Sequence, residues 1–305
     1  MTTPPIPTDA SPTLDEPTSA TTGLERKVLT WAFPATVGPY TLTGCSRARD
    51  ATAFVVPELG LVLDAGERVH GQLLDDVFLT HTHSDHVHAL ARVKARRKPP
   101  RIHAPAHALD LIERYFLATQ ELTDNQITPD GFVREPAYAL IGREAGDAVD
   151  LSRRGQRLRV RAVATDHSVP SLGYLFYEVR DKLKAELAGL AGPAIADLRR
   201  EGVKVTEEVE RPLFGFLGDT TAAVFERHPE VLELPVVVTE CTFLTDEDSP
   251  RGERTRHTCW ATLAPFVEAA PRTVFVLTHM SLRYPDADLA RLTAPLRREN
   301  VVWWM

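Results

Sequence analysis

The histidines of this chain are concentrated in one short stretch. The segment FLTHTHSDHVHAL, residues 78–90, holds four of the 11 histidines and an aspartate within eight positions. Three of these histidines and the aspartate form a spaced string that consists of His81, His83, Asp85 and His86. Imidazole is a common ligand of zinc in proteins, and a carboxylate can share or bridge the ion. We therefore interpret the string as a metal site, and we take His88, which lies outside the spacing, as a helix residue.

The spacing of the string allows more than one metal. In an extended segment, side chains two residues apart point to the same face, so His81 and His83 can bind one ion together. Asp85 and His86 follow where the chain turns into a helix, so they can face a second point. Two histidines and an Asp-His pair are more ligands than a single metal needs.

The elements that must position this string alternate between strand and helix patterns. The segment AFVVPELGLVLDAG, residues 53–66, predicts two strands with a turn at Pro57-Glu58. Further strands are predicted at 76–80, 101–105, 158–165, 172–179, 213–219, 234–242 and 273–279, with the C-terminal VVWWM as an edge strand. Helices are predicted at 87–98, 106–120, 221–228, 258–269 and 286–298. The pattern is typical of an α/β protein whose sheets are covered by helices.

Composition favours one large globular domain. The chain has 305 residues, of which 43% are hydrophobic and 25% charged, so it can bury a sizeable core. The formal charge of −7 means that any nucleic-acid binding would need a local basic patch. No apolar run approaches the roughly 18–20 residues that span a bilayer. Three widely spaced cysteines favour a reducing compartment over a disulfide framework.

The first 23 residues differ from the rest of the chain. They are rich in Pro, Thr and Ser and contain no Lys or Arg, so they cannot bury enough apolar surface to order themselves. They also lack the basic start and apolar centre of a signal peptide. We expect a disordered tail over 1–23, a single domain over 24–305, and a cytoplasmic location.

The histidine string resembles the signature of the metallo-β-lactamase superfamily. The pattern of that superfamily then requires a histidine, a bridging acidic residue and a final histidine, each at a strand end. His167 follows the strand at 158–165, Asp219 follows the strand that ends at 218, and His279 follows the strand that ends at 278. The resemblance implies an αββα sandwich, in which two mixed sheets pack between outer helices.

The resemblance also implies a dinuclear zinc site. In that site His81, His83 and His167 bind the first ion, Asp85, His86 and His279 bind the second, and Asp219 bridges the two. Manganese or another divalent metal is the alternative. Two metals about 3.5–4 Å apart can lower the pKa of water and clamp a displacement at phosphorus.

Three flanking motifs resemble the ribonuclease Z branch of the superfamily. They are HSVPSLGY at 167–174, ECTF at 240–243 followed by His257, and THMSLRY at 278–284. Members of this branch are homodimeric endonucleases that cut 3′ trailers from precursor tRNA. The resemblance places His257 near the leaving group, with Glu240 orienting it, and gives Asp85 the role of general base beside its metal contact. Arg283 and Tyr284 either contact phosphate or form a structural salt bridge.

Some features depart from this branch and leave alternatives open. The segment 181–211, where the family has a basic arm that grips tRNA, is short, and its charges nearly cancel. It is either a shortened arm or a helical cover over the sheet. A basic cluster at 92–101 either tracks RNA or complements a helix C-terminus. The second functional hypothesis is a hydrolase of a small phosphodiester, lactone or thioester; the third is an iron redox protein, for which the sequence offers no flavin-binding domain.

Overall fold

Two β-sheets form the centre of the protein. The computed structural model describes residues 16–19, 28–67, 75–94, 100–129, 138–153 and 155–305. The first sheet contains β1 (Thr18–Ser19), β2 (Leu29–Ala32), β3 (Thr41–Arg47), β4 (Ala51–Val56), β5 (Leu61–Leu63), β6 (Asp76–Phe78), β7 (Arg101–Pro105) and β8 (Ala139–Arg143). The second contains β9 (Ala148–Arg153), β10 (Gln156–Thr165), β11 (Ser171–Leu183), β12 (Thr206–Phe216), β13 (Val236–Glu240), β14 (Val274–Thr278) and β15 (Val301–Trp303).

The two sheets are built alike. In each sheet the strands follow one another in chain order, first as an antiparallel meander and then as parallel strands. Parallel pairing begins at β5 in the first sheet and at β12 in the second. Because neighbouring parallel strands end at the same edge, the loops after them gather together. This edge is where the functional side chains lie.

Eight helices are described in addition to the strands. They are α1 (Ser84–Val87), α2 (Leu90–Lys94), α3 (Leu109–Asp124), α4 (Gly192–Arg200), α5 (Ala223–Arg227), α6 (Ser249–Thr255), α7 (Trp260–Ala269) and α8 (Asp286–Thr293).

Three apolar clusters hold the layers together. The largest lies between the sheets and includes Phe54 from the first sheet and Phe176 and Phe214 from the second. A second cluster joins α5, α7 and α8 to the outer face of the second sheet, and a third joins α2 and α3 to the first. The order of layers is therefore helix, sheet, sheet, helix, and the expected αββα sandwich is confirmed.

The predicted helix at 87–98 differs from the structure. Helix α1 begins earlier, at Ser84, and α2 begins only at Leu90. Between them the Ala89 N–H donates to the Ala65 carbonyl (2.8 Å), while the Ala65 N–H donates to the His86 carbonyl (2.7 Å). This pairing with the β5 loop interrupts the helix and turns Asp85 and His86 towards the site. Residues 95–99 lie outside the described residues.

Strands β1, β2, β3, β8 and β9 and helix α6 were not predicted; β8 is the segment ALIGR and β9 the segment AVDLSR. The segments ALIGR and AVDLSR have few fully buried side chains, so they lack the apolar alternation that marks a strand. Their partners in the sheets, rather than their own sequences, make them strands. The predicted edge strand at VVWWM is confirmed as β15, which pairs only with β14 in the described part of the chain.

The segment 181–211 is the outer part of the β11–β12 hairpin. Pairing continues from Tyr174↔Phe216 to Leu183↔Thr206, and α4 lies in the connection at the tip. None of the side chains of α4 is buried, so this helix does not act as the cover over the sheet that the sequence allowed. The geometry is that of a short projecting arm.

The other two unusual segments are only partly described. Thr18–Ser19, inside the tail expected to be disordered, pairs with β2, while 1–15 and 20–27 lie outside the described residues. In the basic cluster at 92–101, Arg101 pairs with the buried Asp76 (2.7 Å). The side chains of the four basic residues from 94 to 98 are outside the described residues.

Two further expectations concern cysteines and membranes. Cys45, Cys241 and Cys259 are all buried, and no disulfide joins them. Among the described helices, none is both long and apolar enough to cross a membrane.

We predict that Trp304 is essential for the central core. Its ring is buried, lies 5.2 Å from the ring of Phe54, and its Nε1 donates to the Gly44 carbonyl. Trp304→Ala should lower the free energy of unfolding by about 3–5 kcal/mol because it leaves a cavity between the sheets. Urea unfolding measures the change. The control Leu122→Ala, at a side chain that is 84% exposed, should shift stability by less than about 0.5 kcal/mol. Equal effects in the two variants would contradict this role.

Candidate metal centre

The loops after the strands bring the predicted ligands to one edge of the sandwich. His81 follows β6, Asp219 follows β12, and His279 follows β14, all of them strands in the parallel parts of the sheets. His167 lies in the turn between β10 and β11, and Asp85 lies in α1. Residues almost 200 positions apart in the chain thus meet because both sheets present their strand ends on the same side.

The candidate ligand atoms form three groups. His81, His83, His167 and Asp219 make up the first, and Asp85, His86 and His279 the second. The third shares two members with the first and consists of His167, Asp219, Glu240 and His257. Within each group, one ligand atom per residue lies within 4.8 Å of all the others. The structure thus brings together the residues that the resemblance assigned to two ligand sets, with Asp219 in the first group.

Asp219 lies between the first and second groups. One of its oxygens, Oδ2, is 3.8 Å from Nε2 of His81 and 3.8 Å from Nε2 of His167. The same oxygen is 3.4 Å from Nε2 of His279, and Oδ1 is 3.4 Å from Nε2 of His86. A carboxylate in this position can offer one oxygen to each of two cations.

Oxygen partners fix the orientation of four imidazole rings. Nδ1 of His81 lies 2.9 Å from the Thr80 hydroxyl, and Nδ1 of His279 lies 3.0 Å from the Thr242 hydroxyl. The other two contacts are His86 Nδ1 to Asp64 Oδ2 at 2.7 Å and His167 Nδ1 to the Arg256 carbonyl at 3.0 Å. Each partner accepts a hydrogen bond from the Nδ1–H group, which leaves the Nε2 lone pair directed at the centre.

The donor set fits divalent cations. Nε2 of His81 and Nε2 of His86 are fully buried and have no hydrogen-bond partner among the described residues. Buried nitrogen lone pairs without a partner are rare and costly unless an ion binds them. His83 also contributes, since its Nδ1 is 3.2 Å from Nε2 of His167, too close for two rings that do not share a proton or a metal.

Two carboxylates lie behind the rings. Glu240 was assigned from the sequence as the partner of His257, whereas Asp64 was not assigned. Asp64, after β5, accepts from the Thr80 hydroxyl and from His86, and so orients both His81 and His86. Glu240, after β13, accepts from the Thr242 hydroxyl and from His257 at 2.8 Å. The two sheets thus use the same arrangement, in which a strand-end carboxylate holds a threonine and a histidine. Sequence analysis missed Asp64, Thr80 and Thr242; the signal was an acidic residue at the end of a predicted strand.

Unfavourable backbone conformations cluster around the site. Five described non-glycine residues have positive φ, and four of them contact or form the centre. They are Arg49, whose N–H donates to Asp85 (2.7 Å), Asp64, Arg256 and His279. Such conformations persist only where the surrounding structure over-determines them, and they are common at functional sites.

Burial and neighbouring charges determine the protonation of the carboxylates. Burial alone would raise the pKa of Asp219, but the surrounding His279 and His86 rings hold it well below its usual value. Burial likewise opposes ionisation of Asp85, yet its hydrogen bond with His279 lowers its pKa to about 2. For His81, burial is the largest effect and lowers the pKa well below its usual value. Ionised carboxylates and neutral imidazoles are the forms that bind metal.

His257 lies beside this centre and is bound by Glu240. Its Nδ1 is 2.8 Å from Glu240 Oε1 and 3.9 Å from Asp219 Oδ2. Burial would lower the pKa of this imidazole, but the charge and hydrogen bond of Glu240 raise it to about 9. Glu240 is itself held by the backbone N–H groups of Thr220 and Thr258, so the pair is rigidly placed.

The remaining candidates are structural. The Tyr284 hydroxyl donates to Asp248 (2.6 Å) and accepts from the Leu244 N–H, and Arg283 pairs with the same aspartate at 3.5 Å. These contacts favour the salt-bridge interpretation of Arg283 and Tyr284 over phosphate binding. His88 is exposed at the end of α1 and does not point into the centre's ligand groups.

Comparison with known proteins agrees with this geometry. Residues 43–183 match the family model of the metallo-beta-lactamase superfamily. A tRNase Z of Arabidopsis thaliana is 30% identical over 259 residues, which cover 82% of this chain and 88% of the relative. A chloroplastic tRNase Z of the same plant is 29% identical over 268 residues, 85% of this chain and 72% of the relative. The short form of human tRNase Z shares the fold, with a TM-score of 0.52, 18% identity and coverage of 86% of this chain and 95% of that chain.

The similarity to the Arabidopsis protein covers 82% of this chain, well beyond residues 43–183 that the superfamily model matches. A carboxylate that faces two groups of histidines at one edge of an αββα sandwich agrees with both findings. The chain therefore belongs to the ribonuclease Z (tRNase Z) family of the metallo-β-lactamase superfamily and is a metal-dependent hydrolase.

Proposed function

We propose that this protein is a dinuclear zinc endoribonuclease that removes 3′ trailers from precursor tRNA. The observation that carries the proposal is the position of the His257–Glu240 pair beside Asp219 and the two ligand groups. Hydrolysis of a phosphodiester needs a nucleophile, stabilisation of charge at phosphorus, and a proton for the leaving oxygen. The names of the relatives, tRNase Z, support tRNA as the substrate. A homodimer and a cytoplasmic location are parts of the proposal that come from the resemblance and the N-terminal composition.

The metal ligands would be those that the sequence predicted. His81, His83 and His167 would hold one zinc ion, Asp85, His86 and His279 the other, and Asp219 both. When bound, two such cations supply activated water and neutralise charge on the phosphate.

The side chains around the metal centre transfer protons and position the proton donor. His257 donates a proton to the leaving 3′ oxygen, since its bond to Glu240 favours the imidazolium form at neutral pH. Glu240 positions that ring and does not touch the substrate. Asp85, whose carboxylate is ionised and held by the Arg49 N–H, acts as general base for the attacking water.

The second candidate function is hydrolysis of a small phosphodiester, lactone or thioester on the same site. It is favoured by the short arm at 181–211, in which acidic and basic residues nearly cancel, because binding to RNA phosphates requires positive charge. The His257–Glu240 pair favours the nuclease, since a thioester needs less help with its leaving group. Analysis of the metal separates both from the redox alternative, which requires iron.

We predict that the protein cuts a precursor tRNA once, just 3′ of the discriminator base. The assay uses zinc- or manganese-loaded protein and a substrate with a 3′ trailer, and the product ends are mapped. Asp219→Ala should lower the rate by at least about 10³-fold, because it removes the ligand shared by both cations. Absence of any cut, with hydrolysis of a small phosphodiester still dependent on Asp219, would assign the site to small molecules instead.

We predict that the effect of His257→Ala depends on the leaving group. With precursor tRNA, whose 3′ oxygen must be protonated, kcat should fall about 10²–10⁴-fold. With bis(p-nitrophenyl) phosphate, whose leaving group is stable as an anion, the loss should stay within about tenfold. Glu240→Gln should show the same pattern in weaker form. A uniform loss on both substrates would exclude the role of His257 as proton donor.

We predict that Asp64→Asn weakens metal binding without unfolding the protein. Asp64 orients His86 directly and His81 through Thr80, and removal of such a partner costs about 10–100-fold in metal affinity. Competition with a chromophoric chelator measures the affinity, and circular dichroism measures folding. The matched control Asp124→Asn, at an exposed carboxylate of α3, should leave the affinity unchanged. Unchanged affinity in Asp64→Asn would refute the assignment.

A further inference from the structure

Two exposed arginines lie beside the metal centre and share one carboxylate. Nη1 of Arg256 and Nη1 of Arg227 are both 3.7 Å from Oδ1 of Asp166. Their side chains remain 57% and 54% exposed, whereas Asp166 is 21% exposed and held by the Thr221 hydroxyl at 2.6 Å. The cluster therefore carries a net positive charge and presents it to solvent.

Arg256 has an unusual backbone conformation. It follows the last residue of α6 and has φ of +53°, the left-handed conformation in which glycine or asparagine is normally found after a helix. Its backbone carbonyl accepts from His167, a contact that any residue could provide. An arginine side chain is thus not needed for the backbone geometry, and its guanidinium is available for another role.

The cluster lies on a definite side of the centre. Arg256 precedes His257, and Asp166 precedes His167, so both residues border the His257 side of the first ligand group. The guanidinium of Arg256 also donates from Nη1 to the His167 carbonyl (3.1 Å), which keeps it near the rim. Its hydrogen bond to His167 and its ion pair with Asp166 both use Nη1, and the side chain remains largely exposed, so other N–H groups of the guanidinium are available to a ligand.

The leaving group of the proposed reaction indicates which part of the RNA lies on the His257 side of the centre. When the bond between phosphorus and the 3′ oxygen breaks, that oxygen stays with the nucleotide on the 5′ side of the cut. His257 therefore faces the strand upstream of the cleaved bond. Arginine binds phosphate oxygens through paired N–H groups and is well suited to an RNA backbone.

We propose that Arg256 and Arg227 bind the backbone phosphates of the RNA immediately upstream of the cleaved bond. The inference rests on the proposed endoribonuclease function and gives it a substrate-binding surface separate from the arm at 181–211. The acidic protein would thus concentrate its contacts to RNA at the mouth of the site, where two guanidinium groups outnumber one carboxylate.

The first test compares variants on precursor tRNA with zinc-loaded protein. Arg256→Gly, which keeps the carbonyl for His167 and suits the positive φ, and Arg227→Ala should each lower kcat/KM about tenfold. Each should also reduce the slope of log(kcat/KM) against log salt concentration by about 1. The control Arg298→Gln removes an exposed arginine that pairs with Glu268 at the opposite edge, before β15, and should change neither quantity.

The second test locates the contact. One neutral methylphosphonate just upstream of the cleaved bond should lower kcat/KM of the wild type about tenfold relative to the unmodified precursor. The same substitution should hardly change kcat/KM of the Arg256→Gly, Arg227→Ala double variant. A methylphosphonate just downstream of the cleaved bond should lower kcat/KM of both proteins by the same factor. Metal content of every variant is measured in parallel, so that damage to the centre is recognised.

Failure of the proposed endoribonuclease function and failure of phosphate binding by the two arginines give different results. A wild type that does not cut the RNA would overturn the proposed function and the inference with it. A wild type that cuts, with equal methylphosphonate costs in both proteins, would overturn the inference alone. Loss of metal, and an equal loss of activity on bis(p-nitrophenyl) phosphate, would show that the arginines serve only to hold Asp166 and His167.

Discussion

A buried carboxylate, Asp219, lies among imidazole rings, and much of the surrounding structure serves to hold those rings in place. Transfer of a carboxylate from water into a protein interior costs several kcal/mol unless charges and hydrogen bonds compensate it. Four histidine nitrogens lie within 3.8 Å of this carboxylate, and cations between them would complete the compensation. Without fixed rings the same residues would repel one another or rotate towards water. The centre therefore depends on groups behind the ligands as much as on the ligands.

Those supporting groups follow a common arrangement in both halves of the molecule. In the first sheet, Asp64 holds Thr80 and His86; in the second, Glu240 holds Thr242 and His257. Each carboxylate lies at the end of a strand and reaches the centre through one threonine. The two histidines differ in position. His86 belongs to the second ligand group, whereas His257 lies beside the first, and its pKa is raised to about 9. The same arrangement in the two sheets thus holds the proposed metal ligand His86 on one side and the proposed proton donor His257 on the other.

The same rigidity explains where strain is tolerated. Positive φ at Arg49, Asp64 and His279 turns the chain abruptly after strands, and positive φ at Arg256 does so after α6, so that a backbone or side-chain group reaches the centre. Tightly packed neighbours keep these turns in place; for example, a Cβ added at Gly66 would lie 1.7 Å from the Asp85 carbonyl. At Arg256 the backbone supports His167 while the side chain faces solvent, so one residue can serve the metal centre and the substrate. In the proposed function, charge at the mouth of the site, rather than over the whole acidic surface, would govern the encounter with RNA.

The sequence alone was enough to predict the fold class and the reaction type, and to name the candidate ligands. The string from His81 to His86 is local, its spacing follows from an extended chain, and the later ligands each end a recognisable apolar strand. Strands β8 and β9 and residues Asp64, Thr80 and Thr242 could not be assigned in that way. Their roles come from partners distant in sequence: a half-exposed segment becomes a strand only beside its neighbour, and a threonine orients a histidine only when a carboxylate lies behind it. Only the folded structure shows that Asp64 lies behind both Thr80 and His86, that Glu240 raises the pKa of His257, and that Arg256 and Arg227 meet at Asp166. The reason is that hydrogen bonds and charges act over a few ångströms of space and not along the chain.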